Sequence, residues 1–186
     1  MPSFVIKGKS VILRPLSLKD APNFCFWLSD MEVTKFLGMY EAKSPSLKEE
    51  KEWIKKKQKS KKDVVFSIVA DGSIHIGTVS LIKIDKFNKK AEFGIMVGDK
   101  KYWGQGYGTE AGRLMVDYGF RKLKLNRIYL RYIAYNIRGE KSYKKIGFRP
   151  EGKSRQNIFR DSYFHDEFMM GILRSEWLKE NKKINC

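Results

Sequence analysis

The chain has 186 residues, of which 42% are hydrophobic and 13% aromatic, which suits one domain with a sizeable core and excludes global disorder. Its 38 lysine and arginine residues outnumber its 21 aspartate and glutamate residues, a net charge of +17 that indicates either an anionic partner or a lysine-rich solvated surface. The two cysteines, Cys25 and Cys186, are far apart and belong to no Cys–His cluster, so the sequence predicts no metal site and no disulfide framework.

The N-terminal stretch MPSFVIKGKSVILRP lacks the apolar core of a signal peptide. No run in the chain approaches the ~18 apolar residues that a membrane-spanning helix needs. We therefore predict a cytosolic protein without a membrane partner.

Two capping-box patterns mark helices in the first third of the chain, after a strand predicted over residues 10–14. Ser17 is followed three residues later by Asp20, and Ser46 by Glu49. The first helix is predicted to bury Leu18, Ala21, Phe24, Cys25 and Leu28. The second has acidic residues at its start and lysines at its end, as the helix dipole favours, so its lysine run at 55–62 is interpreted as a solvated helix end rather than a nucleic-acid contact.

The rest of the chain alternates between strand and helix patterns. Residues 64–70 and 75–84, joined by Asp71 and Gly72, predict a β-hairpin. Further strands are predicted at 91–98, 127–135 and 164–173, and helices at 109–123 and 137–146, the latter ended by Gly147. The order predicts a single mixed α/β domain over residues 1–186, with a mostly antiparallel sheet and one parallel, right-handed crossover between the strands at 91–98 and 127–135.

The stretch YWGQGYGTEAG at 102–112 places four glycines between a predicted strand and a predicted helix, a position that favours phosphate binding. A nucleoside-triphosphate loop of the form GxxxxGK[ST] is excluded because no Lys-Ser/Thr pair follows the glycines. The looser dinucleotide pattern fits Gly106, Gly108 and Ala111, but the next strand ends in Asn136 and has no acid to hold a ribose, which makes this alternative weak.

The loop resembles the acyl-CoA loop, Q/R-x-x-G-x-G/A, of the GNAT superfamily of N-acyltransferases. Trp103 replaces the usual Gln or Arg, as in the branch that includes ribosomal-protein N-terminal acetyltransferases and spermidine acetyltransferases. The strand AEFGIMVG, the spaced residues Asn136, Tyr143, Lys145, Gly147 and Phe148, and the closing segment GKSRQNIFRDSYFHDEFMMGIL extend the resemblance over essentially the whole chain. It implies a GNAT-like fold, a twisted sheet flanked by helices in which the parallel strand pair is splayed.

The resemblance also implies acetyl-CoA as the co-substrate, with its pantetheine arm between the splayed strands and its diphosphate on the glycine loop. Gly94 and Gly98 would ease a bulge in the strand beside the arm; the alternative is an ordinary strand. The residues that the resemblance assigns to cofactor binding are Ile95, Met96, Val97, Gly104, Gln105, Gly106, Tyr107, Gly108, Thr109, Asn136 and Tyr143.

Two residues are candidates for proton transfer. Tyr143 lies where the family has the tyrosine that protonates the CoA sulfur, and its usual pKa near ~10 keeps it protonated; the alternative is a core tyrosine. Glu92 lies where the branch often has a glutamate and is the candidate base, acting through a water; the alternatives are a substrate-positioning or a plain surface residue. His75 and His165 are interpreted as structural.

Three functions stay open at this point. The first is an N-acetyltransferase that moves the acetyl group directly, in a ternary complex, to a protein N-terminus, a polyamine or another small amine. The second is a basic module that binds nucleic acid or the ribosome, and the third is a non-catalytic acyl-CoA-binding regulator. Segments 30–45 and 155–165 are expected to select the acceptor, and the aromatic stretch NIFRDSYFHDEF either closes the core or pairs across a homodimer.

Overall fold

The structure, a computed structural model, describes residues 4–37 and 44–184, and of residues 181–184 it describes the backbone alone. Cys186 and the middle of the predicted acceptor segment, residues 38–43, lie outside the described residues. Within the described ranges, no helix is long and apolar enough to cross a membrane.

The described residues form eight strands and six α-helices, in nearly the predicted order. The strands are β1 Ile6–Lys7, β2 Val11–Pro15, β3 Val64–Ala70, β4 Ile74–Asp85, β5 Lys90–Val97, β6 Arg127–Ile133, β7 Arg149–Arg160 and β8 Tyr163–Leu173. The helices are α1 Ala21–Leu28, α2 Met31–Thr34, α3 Leu47–Lys59, α4 Tyr107–Arg121, α5 Ile137–Ile146 and α6 Arg174–Ile184.

All eight strands belong to one sheet in the order β1-β2-β3-β4-β5-β6-β8-β7. Every neighbouring pair is antiparallel except β5 and β6, which confirms the predicted fold class. The parallel pairing covers only three positions, from Lys90 opposite Arg127 to Glu92 opposite Tyr129. Beyond Glu92 the two strands separate, so the predicted splay opens a gap along the second half of β5.

The local turn and cap predictions are confirmed. Asp71 and Gly72 have φ angles of +49° and +80°, the left-handed pair that a tight hairpin turn requires. Both capping boxes form, at Ser17 and at Ser46. The predicted buried face of the first helix is partly wrong, because Leu18 is exposed and Trp27 is buried instead. Residues 18–20 form a 3₁₀ turn before α1, and its three-residue period rotates Leu18 away from the face that α1 continues.

The predicted bulge at Gly94 and Gly98 is wrong. The β4–β5 register runs unbroken from Gly77 opposite Val97 to Ile82 opposite Glu92, and the irregularity comes later, between Ile82 and Asp85 of β4. Gly98 has a packing role instead, since a Cβ there would lie 2.1 Å from the Trp27 ring.

Helices cover both faces of the sheet and create two cores. One core, under α4 and α5, includes Phe66, Met115 and Phe120, all fully buried. The other, under α1 and α3, includes Phe24 and Ile54. The apolar alternation of the strands and the amphipathic helices thus fix both sides of β5, the strand that borders the gap.

Asp20 is the centre of a buried polar network between α1 and the sheet. It is 2% exposed and accepts two hydrogen bonds from the Arg14 guanidinium, at 2.6 and 2.8 Å. It also accepts one from the Ser67 hydroxyl at 2.7 Å and one from the Ser17 backbone N–H at 2.9 Å. Burial alone would raise the pKa of Asp20, but these hydrogen bonds lower it below its usual value. The carboxylate is therefore charged and saturated with donors.

His75 belongs to the same network and lies in the core. Its Nε2 is 3.0 Å from the Gly77 carbonyl oxygen, which can only accept, so Nε2 carries the proton. Its Nδ1 then accepts from the Asn23 side-chain amide at 3.2 Å and lies 3.6 Å from an Asp20 oxygen. Burial lowers the pKa of His75, although Asp20 opposes this, so the ring is neutral at neutral pH.

The aromatic end of the β7–β8 hairpin does not close the core. Phe159, Tyr163 and Phe164 are 60%, 71% and 63% exposed. The alternative, that this segment pairs across a homodimer, stays a prediction. The C-terminal helix α6 was not predicted, because its sequence RSEWLKENKKI is mostly polar; its Trp177 ring lies 5.5 Å from the Phe120 ring.

Candidate active site

A cleft of about 530 Å³ opens where β5 and β6 separate. Its walls are the end of β5, the glycine loop with the start of α4, the first two turns of α5, and the segment that follows α2. The structure brings together here nine of the eleven predicted cofactor-binding residues, namely Ile95, Met96, Val97, Gly104, Gly106, Gly108, Thr109, Asn136 and Tyr143.

The side chains of Gln105 and Tyr107 are not in the cleft wall but brace the loop. Gln105 donates to the Lys101 carbonyl, and the Tyr107 hydroxyl lies 3.4 Å from Asp71. Tyr102 donates to the same carboxylate at 2.9 Å. Asp71 thus ties the glycine loop to the β3–β4 turn, a role that its turn position in the sequence does not reveal.

The glycine loop ends in a helix N-terminus that is open to the cleft. Gly104 and Gly106 have φ angles of +76° and +93°, and Gly106 is the residue before the first turn of α4. Among the side chains that the structure describes, none accepts a hydrogen bond from the N–H groups of the first turn of this helix. These donors, together with the positive end of the helix dipole, form a site for an anion.

Basic side chains add to this positive potential. Arg138, Lys141 and Lys145 of α5 line the cleft, and no Asp or Glu is among its lining residues in the described ranges. The Arg138 guanidinium lies 3.6 Å from the centre of the Trp103 ring. Trp103 in turn donates from its indole N–H to the Val97 carbonyl at 2.6 Å, which fastens the loop to the end of β5. The sequence does not reveal these basic residues as part of the site. They lie on α5, about 30 residues after the loop, and only the fold of α5 against the loop brings them to the cleft.

Tyr143 lies between the core and the cleft. Its ring contacts Phe93, Tyr132 and Phe148 at centroid distances of 6.4, 5.7 and 6.4 Å. Its hydroxyl has no hydrogen-bond partner among the described residues. Tyr143 is also one of the residues that line the cleft. Burial raises the pKa of Tyr143 to about 12, so it is protonated throughout the neutral range.

Asn136 lines the cleft and caps α5. Its Oδ1 accepts from the Gly139 backbone N–H at 2.9 Å, and a Cβ at Gly139 would lie 2.6 Å from the Asn136 amide. The side-chain Nδ2 donates to no residue that the structure describes. Asn136 is thus the N-cap of α5, and its contact with the cofactor stays a prediction.

The structure does not bring Glu92 to the cleft wall. Its carboxylate accepts from Lys83 Nζ at 2.7 Å and from Arg131 at 3.2 Å. Burial would raise the pKa of Glu92, but these two cations lower it, so the group is ionised at neutral pH. Its role as a base stays a prediction.

A second cavity of about 410 Å³ adjoins the cleft, and Phe36 borders both. Its other lining residues are Met31, Lys35, Tyr135, Asp161, Tyr163 and His165. Arg160, 6% exposed, donates to the carbonyls of Lys35 and Leu37, and the Tyr135 hydroxyl donates to the Lys35 carbonyl at 2.7 Å. The described parts of the two predicted acceptor segments therefore meet at this cavity.

A splayed parallel pair beside an open helix N-terminus and a buried tyrosine is the arrangement expected of an acyl-CoA-dependent N-acyltransferase. Residues 10–149 match the family model described as "Acetyltransferase (GNAT) domain". The chain therefore belongs to the GNAT family of acetyltransferases, and it is an N-acetyltransferase.

The relatives that match the chain include members of the predicted branch, that of the ribosomal-protein and spermidine acetyltransferases. An uncharacterized N-acetyltransferase of Bacillus licheniformis, p20, is 30% identical over 167 residues, 89% of this chain and 93% of that protein. The Bacillus subtilis protein YdaF, named as a ribosomal N-acetyltransferase, is 34% identical over 59% of each chain. The spermidine N(1)-acetyltransferase of Escherichia coli K12 is 32% identical over 63% of this chain and 62% of its own. The last two matches thus span less than two thirds of the relatives' length.

Solved structures share the fold over the whole domain. The spermidine N-acetyltransferase of Vibrio cholerae, crystallised in complex with CoA and spermine, has a TM-score of 0.84 and 25% identity. The alignment covers 92% of this chain and 99% of that one. The predicted family and fold are confirmed.

Proposed function

We propose that the chain binds acetyl-CoA in the cleft and transfers the acetyl group directly to a primary amine in a ternary complex. The observation that carries the proposal is that the open N-terminus of α4 and Tyr143 line the same cleft. We also propose residues 1–186 as one N-acetyltransferase domain, since β7 and β8, beyond the family match, belong to the same sheet as β5.

The loop would hold the diphosphate of the co-substrate. Its donors are the backbone N–H groups between residues 104 and 109, at a helix N-terminus that no side chain caps. Arg138, Lys141 and Lys145 add positive charge from the facing helix, which suits a ligand with several phosphate charges. A Cβ at Gly104 or Gly106 would meet no protein atom within 4 Å, so both glycines face open space.

The end of β5 and Tyr143 would act on the thioester. Because β5 has no strand partner on its β6 side beyond Glu92 in the described ranges, the backbone groups of Ile95 and Val97 that face away from β4 are available to pair with the amides of the pantetheine arm, whereas those of Met96 point towards Thr78 of β4. A backbone N–H there can stabilise the oxyanion that forms when the amine nitrogen attacks the carbonyl carbon. As the carbon–sulfur bond breaks, the Tyr143 hydroxyl donates its proton to the departing sulfur. The Nδ2 of Asn136, which donates to no described residue, would donate a hydrogen bond to the pantetheine arm.

Direct transfer fits the groups in the cleft. No cysteine lines it in the described ranges, and Cys25 lies on α1, where burial raises the pKa of its thiol. The hydroxyls of Thr109 and Ser142 hydrogen-bond to each other at 2.9 Å. With no activated nucleophile to carry the acetyl group, initial rates at varied concentrations of both substrates should give intersecting reciprocal plots, whereas parallel lines would indicate a covalent intermediate.

Gly106→Ala should weaken acetyl-CoA binding about tenfold or more, because the left-handed φ of residue 106 shapes the anion site. Gly72→Ala is the matched control, since Gly72 also has a positive φ and open space but lies in the β3–β4 turn. Both variants should lose about 1 kcal/mol of stability from backbone strain. Calorimetry and the thermal shift with acetyl-CoA check this; equal affinities in the two variants would remove Gly106 from the cofactor site.

We propose that the acceptor enters through the second cavity and that it is a protein N-terminus rather than a polyamine. A polyamine is a multiply charged cation, and the described lining of this cavity offers one carboxylate, Asp161, against Lys35, with Arg160 close by. The four rings of Phe36, Tyr135, Tyr163 and His165 suit the side chains of a peptide. Both acceptor classes occur among the named relatives, one ribosomal N-acetyltransferase and three spermidine N(1)-acetyltransferases, so the names do not decide between them.

Thiol release with a panel of N-terminal peptides, including those of ribosomal proteins, and with spermidine tests the acceptor. We expect a kcat/KM at least about tenfold higher for the best peptide, which corresponds to ~1.4 kcal/mol of transition-state binding. A preference for spermidine would overturn the acceptor proposal and leave acetyl transfer intact. No thiol release with any amine would overturn the proposed function itself.

Glu92→Gln tests the predicted base. If Glu92 relays a proton, kcat/KM at neutral pH should fall about 10- to 100-fold and recover above the pKa of the acceptor amine, where the amine is already neutral. Lys83→Gln is the control, because it removes an ion-pair partner of Glu92 and keeps the carboxylate. A fall that is independent of pH, or that Lys83→Gln reproduces, would assign Glu92 a structural role.

A further inference from the structure

Three neighbouring segments form the end of the sheet that is farthest from the cleft. They are residues 57–63 between α3 and β3, 83–90 around the β4–β5 turn, and 121–126 between α4 and β6. The Ile84 N–H donates to the Lys62 carbonyl at 2.8 Å, and the Asn126 N–H to the Lys89 carbonyl at 2.6 Å, so the segments lie side by side. Strand β5 begins here at Lys90 and reaches the cleft at Ile95, roughly 17 Å away at the usual rise per residue. We name this surface the lysine pole.

The lysine pole carries a large uncompensated charge. Its three segments hold eleven lysine or arginine residues and two aspartates. Lys57, Lys83 and Arg121 form ion pairs with Asp63, Glu92 and Asp117. The other eight lysines are exposed and form no ion pair with any residue in the described ranges: Lys59, Lys61, Lys62, Lys86, Lys89, Lys90, Lys122 and Lys124. Such a concentration of charge attracts a polyanion.

An aromatic ring projects from the middle of this charge. Phe87, at the tip of the β4–β5 turn, is 93% exposed, more than any other large hydrophobic residue that the structure describes. The turn is fixed, because the Asp85 carboxylate accepts from the Asn88 backbone N–H at 2.8 Å and from its side-chain amide at 2.6 Å. The ring is therefore held in solvent by an ordered turn, with Lys86 and Lys89 on either side.

Three lysines of the lysine pole have the left-handed backbone conformation that glycine adopts with less strain. Lys83, Lys89 and Lys124 have φ angles of +51°, +49° and +54°. They are three of the seven non-glycine residues with positive φ in the described part of the chain. Glycine and asparagine adopt this conformation with less strain, so the presence of lysine at all three positions calls for a reason other than backbone stability. A function of the charge itself provides that reason.

We propose that the lysine pole binds single-stranded nucleic acid, with phosphates on its lysines and an unpaired base stacked on Phe87. Aromatic rings set among basic side chains bind single strands in this way, since every base offers a flat face and a duplex does not expose one. Phosphate contacts made by lysines carry no sequence information, so binding is independent of sequence. A membrane fits less well, because Phe87 is the one exposed large hydrophobic residue in the three segments, and stable anchoring needs more apolar contact.

Fluorescence anisotropy with a labelled, unstructured 12-nucleotide RNA tests the proposal. The affinity should fall with salt, with a log–log slope of about −2 to −4 for a few neutralised phosphates. Phe87→Ala should weaken binding about tenfold with an unchanged slope, since it removes stacking and no charge. The double variant Lys89→Gly/Lys124→Gly should make the slope shallower by about 1, and it relieves backbone strain, so it should fold at least as well as the parent.

The matched control is Lys48→Gln/Lys51→Gln, which removes two exposed lysines from the opposite end of α3 and should leave RNA binding unchanged. Acetyl transfer to peptides should be unchanged in all these variants, because none of the residues lines the cleft. Equal RNA affinity in the Phe87 variant and the parent would overturn the proposal. So would a blunt duplex that binds as tightly as the single strand, or Phe87-dependent binding to phosphatidylserine vesicles without RNA binding, which would assign the surface to membranes.

Discussion

Replacing Tyr143 with phenylalanine is expected to lower kcat at least about 100-fold, the usual range for loss of a general acid. The acetyl-CoA dissociation constant should stay within about threefold, because the ring keeps its packing and the loop that binds the diphosphate is untouched. A proton given to the sulfur as the carbon–sulfur bond breaks stabilises the departing group, and Tyr143, with its pKa raised by burial to about 12, holds that proton throughout the working range. Stopped-flow thiol release and calorimetric titration with acetyl-CoA separate the two effects.

Tyr132→Phe is the matched control for this variant. Tyr132 is 7% exposed and lies 5.7 Å from the Tyr143 ring, yet it does not line the cleft. Tyr132→Phe removes one hydroxyl from a buried ring, as Tyr143→Phe does. It should leave kcat within about threefold, because a proton donor must be within reach of the reacting atom. If both variants lose activity equally, or if Tyr143→Phe keeps its activity, Tyr143 is a packing residue and not the acid.

Asp20→Asn is expected to lower the free energy of unfolding by about 2–4 kcal/mol, a little less than the ~3–5 kcal/mol for removing one partner of a fully buried ion pair, because the Arg14 side chain is 29% exposed. The Arg14 guanidinium, which makes two hydrogen bonds to Asp20, would face an amide that can accept only one of them. Asp117→Asn is the matched control, because Asp117 pairs with Arg121 on the surface and should cost no more than about 0.5 kcal/mol. Urea unfolding at neutral pH measures both, and equal stability of the Asp20 variant and the parent would contradict the network's role.

The same network makes stability depend on pH in two windows. The folded pKa of Asp20 is below its usual 3.8, so its contribution is present above that value and is lost as the pH falls through the folded pKa. The folded pKa of His75 is below its usual 6.5, so stability also falls as the pH drops below 6.5 and His75 in the unfolded chain gains a proton. The free energy of unfolding of the parent should therefore fall in both pH windows. In Asp20→Asn the fall in the more acidic window should disappear, and the fall below pH 6.5 should stay.

Local patterns predicted most of the fold because the chemistry that sets each element is local. The Asp71–Gly72 turn, the two capping boxes and the helix-ending Gly147 each depend on a few adjacent residues. The splayed pair also followed from the sequence, through the family resemblance. Helix α6 was not predictable in this way, because its buried Trp177 contacts the Phe120 ring, which lies 57 positions earlier in the chain.

The candidate site was predictable along β5 and the glycine loop and much less so across the gap. Arg138 and Trp103 come from different elements, as do Arg160 and Lys35, which are 125 residues apart. No spacing rule links such pairs. Counting along the strand placed Glu92 correctly at the start of β5, but it gave no sign that Lys83 and Arg131 on the neighbouring strands hold the carboxylate.

In the proposed function, Phe36 separates the acetyl donor from the amine. In the described part of the chain, it is the one residue that borders both the cleft and the second cavity. The segment after α2 contributes to both, whereas the tip of the β7–β8 hairpin lines the second cavity and not the cleft. Substitutions at the hairpin tip can therefore change which amine the proposed site accepts and leave the site of the acetyl donor intact. A hairpin that varies apart from the cleft allows the same scaffold to diversify its acceptors.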